Sequence, residues 1–454
     1  LNETRQSHVR GSYHELLSGL LVGNRRDVIF TIIANTSRTS LSKFDARYLA
    51  NLAYAYALIE YAPKLEDGSA LFDHIAEKSI PSLGKFKPQE LANTVWSFEK
   101  AGVSSPLLFE SVANHIVGLR QLNDFKPQDL SNITLAFAKV AEASHPALFE
   151  KVADHIVLID KLVAFDSQAL SNTVWAFEKA GVSHPALFEK VAEYIVGLKR
   201  LDDFKPQELS NIVLTYAKAG ESHPALFDKV ANHIVALDNL GAFNAQALAN
   251  TVWSFEKAGV SHPSLFEKVA NHIVALDQLI GFKPQNLSNT VLAFAKAGES
   301  YPGLFEKVAN HIVALGHLND FGSQDFSNTV WAFAAAKVSH PQLFEKVAEH
   351  IISLDNLNEF NGQNLGNTIW AFAKAGQSHP ALFKKVATHI FSLDNLNAFN
   401  SKNCSQILWG YSTANIIDLE LFEKVAKYAM THIDYASLDK ESQLGLLRAF
   451  QKAE

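Results

Sequence analysis

The chain has 454 residues, 48% hydrophobic and 19% charged, with one cysteine and a formal net charge of −7. That composition excludes a disordered chain, and a lone cysteine gives no sign of a disulfide framework or an oxidising compartment. No apolar run approaches the roughly 18 residues of a membrane span, and an acidic chain offers phosphates no general attraction.

The N-terminal segment, residues 1–43, reads as a basic, non-repeating helical cap. Arg5, Arg10, Arg25, Arg26, Arg38 and Lys43 outnumber Glu3, Glu15 and Asp27, so the segment carries +3 and the remainder −10. The first residue is Leu1 and the only methionine is Met430, an arrangement that a cleaved targeting peptide or a start lying outside this sequence would equally produce.

From Phe44 a unit recurs. The asparagine of the stretch LSNTVW falls at Asn51, Asn93, Asn132, Asn172, Asn211, Asn250, Asn289, Asn328 and Asn367, with Gln406 next; the spacings are 42, 39 and 40, then 39 throughout. Such a period without strand-like alternation is the signature of stacked helical hairpins. The predicted fold is all-α: an α-solenoid of about ten tandem helix-turn-helix repeats over residues 44–437, closed by a degenerate half-repeat cap at 438–454 with Gly445 in the asparagine slot.

The first helix of each unit starts at Lys-Pro (Lys87, Lys126, Lys205, Lys283) or at a short polar cap (Asp45, Asp166, Asn244, Asn361, Asn400). Proline suits the first turn, and a short polar side chain caps the free N–H groups. The helix ends at Lys-Ala-Gly, where glycine permits the left-handed exit. The second helix opens at Ser-His-Pro and runs through LFEKVANHIVAL. Its Glu-Lys pairs, such as Glu189-Lys190, read as a solvated outer face. Units with Trp and EKAGVS alternate with units carrying Leu and AKAGES, and the alternation lapses where Trp331, Trp370 and Trp409 occupy successive units.

At 100° per residue Leu91, Val95 and Phe98 share one stripe of the first helix, with Gln89, Asn93, Trp96 and Lys100 opposite. Two readings of that ladder stand side by side. As a binding surface it would use Lys100, Lys139, Lys179, Lys218, Lys257, Lys296 and Lys374 on phosphates, Gln89, Gln128, Gln168, Gln207, Gln246 and Gln285 as amide contacts, and the aromatic rings to stack bases. As a structural ladder, Asn93, Asn132, Asn172, Asn211, Asn250, Asn289, Asn328 and Asn367 would bond backbone of the adjoining unit, while Trp96, Trp175, Trp253, Trp331, Trp370 and Trp409 pack between hairpins. The structural reading is favoured for Asn and Trp, because Leu135, Leu214 and Leu292 replace tryptophan in alternate units. A slot that accepts leucine needs volume more than a π-face.

Two histidine ladders read as capping or interior groups. His115, His155, His233, His272, His311, His350 and His389 lie in second helices; His145, His184, His223, His262, His340 and His379 precede their prolines. Each ladder supplies one residue per unit, whereas a metal needs three or four converging ligands. No metal, cofactor, catalytic group or small-molecule substrate is indicated: there is no P-loop, GxGxxG, HExxH or GxSxG, and Cys404 fills an apolar slot.

Written out as F-x-P-Q-x-L-x-N-T-V-W-A-F-A-K-A-G plus a second helix, the unit resembles the octotricopeptide repeat family, α-solenoids of organellar gene expression. The resemblance covers Phe44 to the C-terminus. It implies a soluble chloroplast or mitochondrial protein that binds single-stranded RNA, or sits in an organellar ribonucleoprotein, and acts on transcript stability, processing or translation. The alternative is a protein-binding scaffold or structural subunit of a large organellar complex. The repeats Phe204–Ala242 and Phe243–Gly281 each carry −1. Ser97, Ala136, Ala176, Thr215, Ser254, Ala293, Ala332 and Ala371, read as exposed, hardly vary, so any RNA recognised is expected to be simple in sequence.

Overall fold

The computed structural model describes residues 25–140, 145–221, 223–299, 301–416 and 418–432, with Gln443 and Leu447. The cap expected at 1–43 is therefore described only from residue 25, where a helix runs Arg25–Ser40 (α1). The rest of that segment, and the half-repeat cap expected at 438–454 apart from those two residues, lie outside the described residues.

The repeats are helical hairpins throughout, and the chain falls into two compact units, Leu1–Gly197 and Leu198–Glu454. The first unit holds the hairpins Ala46–Leu58 with Leu71–Ser79 (α2, α3), Pro88–Lys100 with Pro106–Gly118 (α4, α5), Pro127–Lys139 with Pro146–Leu158 (α6, α7) and Ser167–Ala180 with Pro185–Gly197 (α8, α9). The second holds Pro206–Ala219 with Pro224–Ala236 (α10, α11), Ala245–Lys257 with Pro263–Ala275 (α12, α13) and Pro284–Lys296 with Pro302–Ala314 (α14, α15). It continues through Ser323–Ala335 with Pro341–Ser353 (α16, α17), Gly362–Lys374 with Pro380–Ser392 (α18, α19) and Ser401–Thr413 with Leu419–His432 (α20, α21). These hairpins are numbered below as repeats 1 to 10. No described helix is long and apolar enough to cross a membrane.

Local chemistry sets the helix ends. Asp166 Oδ1 accepts from Ala169 N at 2.7 Å and Asn244 Oδ1 from Ala247 N at 2.8 Å, a side-chain cap in each case. In Lys-Pro repeats the bond is reversed: Glu90 accepts from Lys87 N at 2.9 Å and Glu208 from Lys205 N at 2.8 Å. Gly181 takes φ 67°, the left-handed exit.

Within each unit the first helices form one row and the second helices another, and the first helices pack the more closely. Small buried side chains allow it. Ser97, Ala136, Ala176, Thr215, Ser254, Ala293, Ala332 and Ala371 are all fully buried, which corrects their reading as exposed. They sit against the neighbouring first helix, where a larger side chain would hold the two helices apart. At Gly410, in the same slot, an added Cβ would lie 2.5 Å from Ile369 Cγ2.

Between rows, phenylalanines of second helices meet an aromatic ring from the next repeat's first helix edge to face, as Phe383 meets Tyr411. Phe109–Phe137, Phe266–Phe294 and Phe344–Phe372 each have ring centroids 5.0 Å apart. These rings are nearly or fully buried, and each stabilises its junction by about 1.5–3 kcal/mol through apolar area removed from water.

The second-helix lysines are not a solvated surface, contrary to the sequence reading. Lys229, Lys268, Lys307, Lys346, Lys385 and Lys424 donate to the carbonyls of Leu198, Leu237, Leu276, Leu315, Leu354 and Leu393, each just past the end of the preceding second helix. A cation there satisfies an orphan carbonyl and faces the negative helix end. The histidines before proline cap instead. Nδ1 of His184, His223, His262 and His340 accepts from a backbone N–H three residues on at 3.2 Å, and Nε2 of His340 lies 3.2 Å from Asn310 Oδ1 on the preceding repeat.

Candidate nucleic-acid interface

Four positions of a first helix face solvent in repeat 2, whereas the equivalent Leu292, Asn328 and Gln406 of later repeats are buried. The four are Gln89 (exposed), Asn93 and Trp96 (half-buried) and Lys100 (exposed). Spacings of four, three and four residues place them on one helical face, opposite the buried Leu91, Val95 and Phe98.

In the first unit this face carries rows Gln89, Gln128, Gln168; Asn93, Asn132, Asn172; Trp96, Leu135, Trp175; and Lys100, Lys139, Lys179. In the second unit the rows are Gln207, Gln246, Gln285, Gln324, Gln363; Asn211, Asn250, Asn289, Asn328, Asn367; and Leu214, Trp253, Leu292, Trp331, Trp370, Trp409. The lysine row there is Lys218, Lys257, Lys296 and Lys374, with Ala335 interrupting it. The structure brings members of all four rows together: Leu214, Lys218, Gln246, Asn250, Trp253, Gln285, Asn289 and Gln324 line one groove of about 580 Å³. A second depression of about 570 Å³ shares Gln285 and Gln324 and reaches Phe326 and His350.

The asparagines do not do what the sequence reading expected. Among the described residues, no side chain of Asn93, Asn132, Asn172, Asn211, Asn250 or Asn289 bonds backbone of the adjoining repeat, and all six remain half-exposed. Adjoining first helices meet through their small residues, which leaves the amides at the groove wall. The amide contact that does form is between side chains, Gln406 Nε2 donating to Asn367 Oδ1 at 2.9 Å.

The tryptophans combine packing with exposure. Trp331 and Trp370 stack at 5.8 Å between centroids, and Trp370 and Trp409 lie 6.1 Å apart, yet each keeps part of its surface in solvent. Sequence reasoning missed Tyr54, which fills the same slot in repeat 1 and lies 5.2 Å from Trp96. The signal was available, since Tyr54 stands three residues after Asn51, the spacing that separates Trp96, Trp175, Trp253, Trp331 and Trp370 from their asparagines.

Electrostatics temper the lysine row. Lys100 pairs with Glu60 at 2.5 Å, Lys139 with Glu99 at 3.3 Å and Lys296 with Glu256 at 3.9 Å, so these charges are partly compensated from the preceding repeat. Lys374 Nζ lies 5.7 Å from the Trp370 ring centre and 5.8 Å from that of Trp409, a cation over two π-faces. Burial pushes the Cys404 thiol up to about 12, which suits an apolar slot and not a nucleophile. Among the described residues no group of three His, Cys, Asp or Glu side chains converges as a metal site.

Residues 161–355 match a family model described as RNA-editing substrate-binding complex 6 protein. That stretch is less than half of the chain and includes the groove. No curated protein matches the chain. Among solved structures, the pentatricopeptide repeat protein PPR10 from maize aligns at 13% identity over 90% of this chain and 62% of its own, with a TM-score of 0.37. Yeast Rmd9p in complex with a 16-nucleotide target RNA aligns at 13% identity over 89% of this chain and 76% of its own, with a TM-score of 0.32. At such scores the all-α repeat fold rests on the hairpins themselves.

Proposed function

We propose that this chain binds single-stranded RNA along the solvent-facing side of its first helices and acts in organellar RNA processing as a non-catalytic, octotricopeptide-like repeat protein. One observation carries the reading: amides from successive repeats share one groove with the Trp253 indole and Lys218. Indoles stack bases, amides bond base edges, and lysines meet phosphates. The description of the family matched by residues 161–355, an RNA-editing substrate-binding complex protein, supports the same reading and makes an organellar ribonucleoprotein the natural setting.

Short-range contacts carry such binding, because the net charge is −7 and three lysines of the row face carboxylates. That compensation is also what favours the second reading, a protein-binding scaffold. Selection from a random RNA pool, with a protein pull-down alongside, decides between them. The RNA reading expects an enriched short single strand of simple or two-nucleotide-period sequence, with log affinity falling by about 0.7 per phosphate contact per log unit of salt. A pool without enrichment, beside stoichiometric protein capture, establishes the scaffold instead.

A further inference from the structure

The same glutamine stands at the second position of the first helix in eight successive repeats, from Gln89 to Gln363. Its neighbours change. Two residues earlier the chain carries Lys87, Asp166, Asn244 or Gly322, and one residue later Glu90, Asp129, Ala169 or Asn286. All eight glutamines are exposed, and among the described residues no hydrogen bond or ion pair engages the side chain of Gln89, Gln128, Gln168, Gln207, Gln246 or Gln285. Surface positions of that kind tolerate substitution, so no demand of the fold accounts for the repetition.

The asparagine four residues on completes a pair. One helical turn separates the two, which makes them neighbours on the solvent face. In repeats 2 to 7 the asparagine, Asn93 to Asn289, is half-exposed and bonds no adjoining backbone. The pairs of repeats 6 and 7, Gln246 with Asn250 and Gln285 with Asn289, line one groove. Beyond repeat 7 the pairing lapses, since Asn328 is buried and Asn367 accepts from Gln406.

An amide presents a donor and an acceptor side by side. On the two edges that side chains read in single strands, Watson–Crick and Hoogsteen, adenine offers the complementary pair twice: one N6 hydrogen lies beside N1 and the other beside N7. Guanine's Hoogsteen edge presents two acceptors, N7 and O6. Uracil's single N3–H serves one amide, and cytosine beyond its amino group offers only C5. Two amides facing one base on those edges are therefore both satisfied in full by adenine alone. Because the pair does not change from repeat to repeat, neither does the base it selects; the alternation of tryptophan and leucine modulates stacking and not identity.

We propose that the Gln–Asn pairs make this chain a reader of adenine runs, three consecutive adenines on repeats 2 to 4 of the first unit and three on repeats 5 to 7 of the second. The proposal rests on the RNA reading above and names the base that it selects.

The test uses the full chain and fluorescein-labelled oligoadenylate, oligouridylate, oligocytidylate and oligo(7-deazaadenylate), each twelve nucleotides long, titrated at low salt. Oligoadenylate should bind about tenfold or more tighter than either pyrimidine oligomer, as expected for bidentate amide contacts. The 7-deaza oligomer, which lacks only the N7 acceptor, should lose about threefold or more against oligoadenylate. Gln246→Met combined with Gln285→Met keeps the side-chain length and removes both amides from an exposed face, so the protein should fold, and thermal melts check it. That variant should weaken oligoadenylate about tenfold and oligouridylate less than about threefold, whereas Gln278→Met, outside the groove, should change neither. Equal affinity for the three natural oligomers, or a preference for a pyrimidine, overturns the adenine assignment and leaves the RNA reading intact. An undiminished 7-deaza oligomer overturns the two-edge contact, and a double variant that keeps its preference for adenylate takes the discrimination away from the glutamines. A wild-type chain that binds none of the oligomers sinks both the adenine assignment and the RNA reading.

Discussion

Lys268 Nζ donates at 2.5 Å to the carbonyl of Leu237, the residue that closes the second helix of the preceding repeat. The bond joins neighbouring repeats through a helix end whose carbonyl would otherwise lack a partner. Lys268→Met keeps most of the stem and removes the charge-assisted bond. It should cost about 1–2 kcal/mol, the lower part of the range for bonds to charged groups, since the lysine is half-buried. Lys257→Met, on the exposed groove face, should stay within about 0.5 kcal/mol of wild type. Thermal unfolding of both variants checks this; equal effects would reject the clamp.

What the sequence made legible was whatever repeats with a helical period. Caps at Asp166 and Asn244, the left-handed exit at Gly181 and the face shared by Gln89, Asn93, Trp96 and Lys100 follow from spacing alone. What stayed hidden depends on which helix lies beside which. Ser97 and Ala136 look like surface residues on a single helix and are buried only because the next first helix covers them. Likewise, nothing local to Lys268 announces Leu237, thirty-one residues earlier.

The groove asparagines and tryptophans should now part company in stability. Asn250 is half-exposed and its amide holds no backbone of the adjoining repeat, so Asn250→Leu should change stability by less than about 0.5 kcal/mol. Trp253→Leu gives up partly buried aromatic area and should cost about 1–2 kcal/mol, with neighbours partly refilling the space. The order is the reverse of the one expected if Asn250 held a buried backbone group. Chemical denaturation of the two variants settles the order, and a large loss at Asn250 would restore the structural role.

Acid should loosen the repeats. Burial holds the imidazoles of His155, His272, His311, His350 and His389 below their ordinary value of 6.5, and does the same for His233 although Asp202 partly opposes it. For a lowered histidine the unfolded chain takes up protons first. Stability is therefore fully present above about pH 6.5 and declines as pH falls below it toward the folded-state value. Denaturant midpoints should drop between pH 7.5 and 5.5, and His272→Gln combined with His311→Gln should shrink the drop. An unchanged pH dependence in the double variant would remove these two residues from the account.

The exits from the first helices offer a last comparison. Glu60, Lys337 and Asn415 occupy, at φ 52°, 56° and 56°, the left-handed position that Gly181, Gly259 and Gly376 fill in other repeats. A side chain there costs about 1–2 kcal/mol relative to glycine, offset by the roughly 0.5–1 kcal/mol of extra chain entropy that glycine loses on folding. Lys337→Gly should thus stabilise by about 0.5–1 kcal/mol. Asn415→Gly should gain less, because asparagine tolerates this backbone region. Glu60→Gly should gain least, since it also removes the partner of Lys100, although an exposed pair of that kind contributes only up to about 1 kcal/mol. Melting temperatures of the three variants should rise in the order Glu60, Asn415, Lys337. A Lys337→Gly protein that melts below wild type would mean that its side chain supports the turn and that strain is not what governs the position.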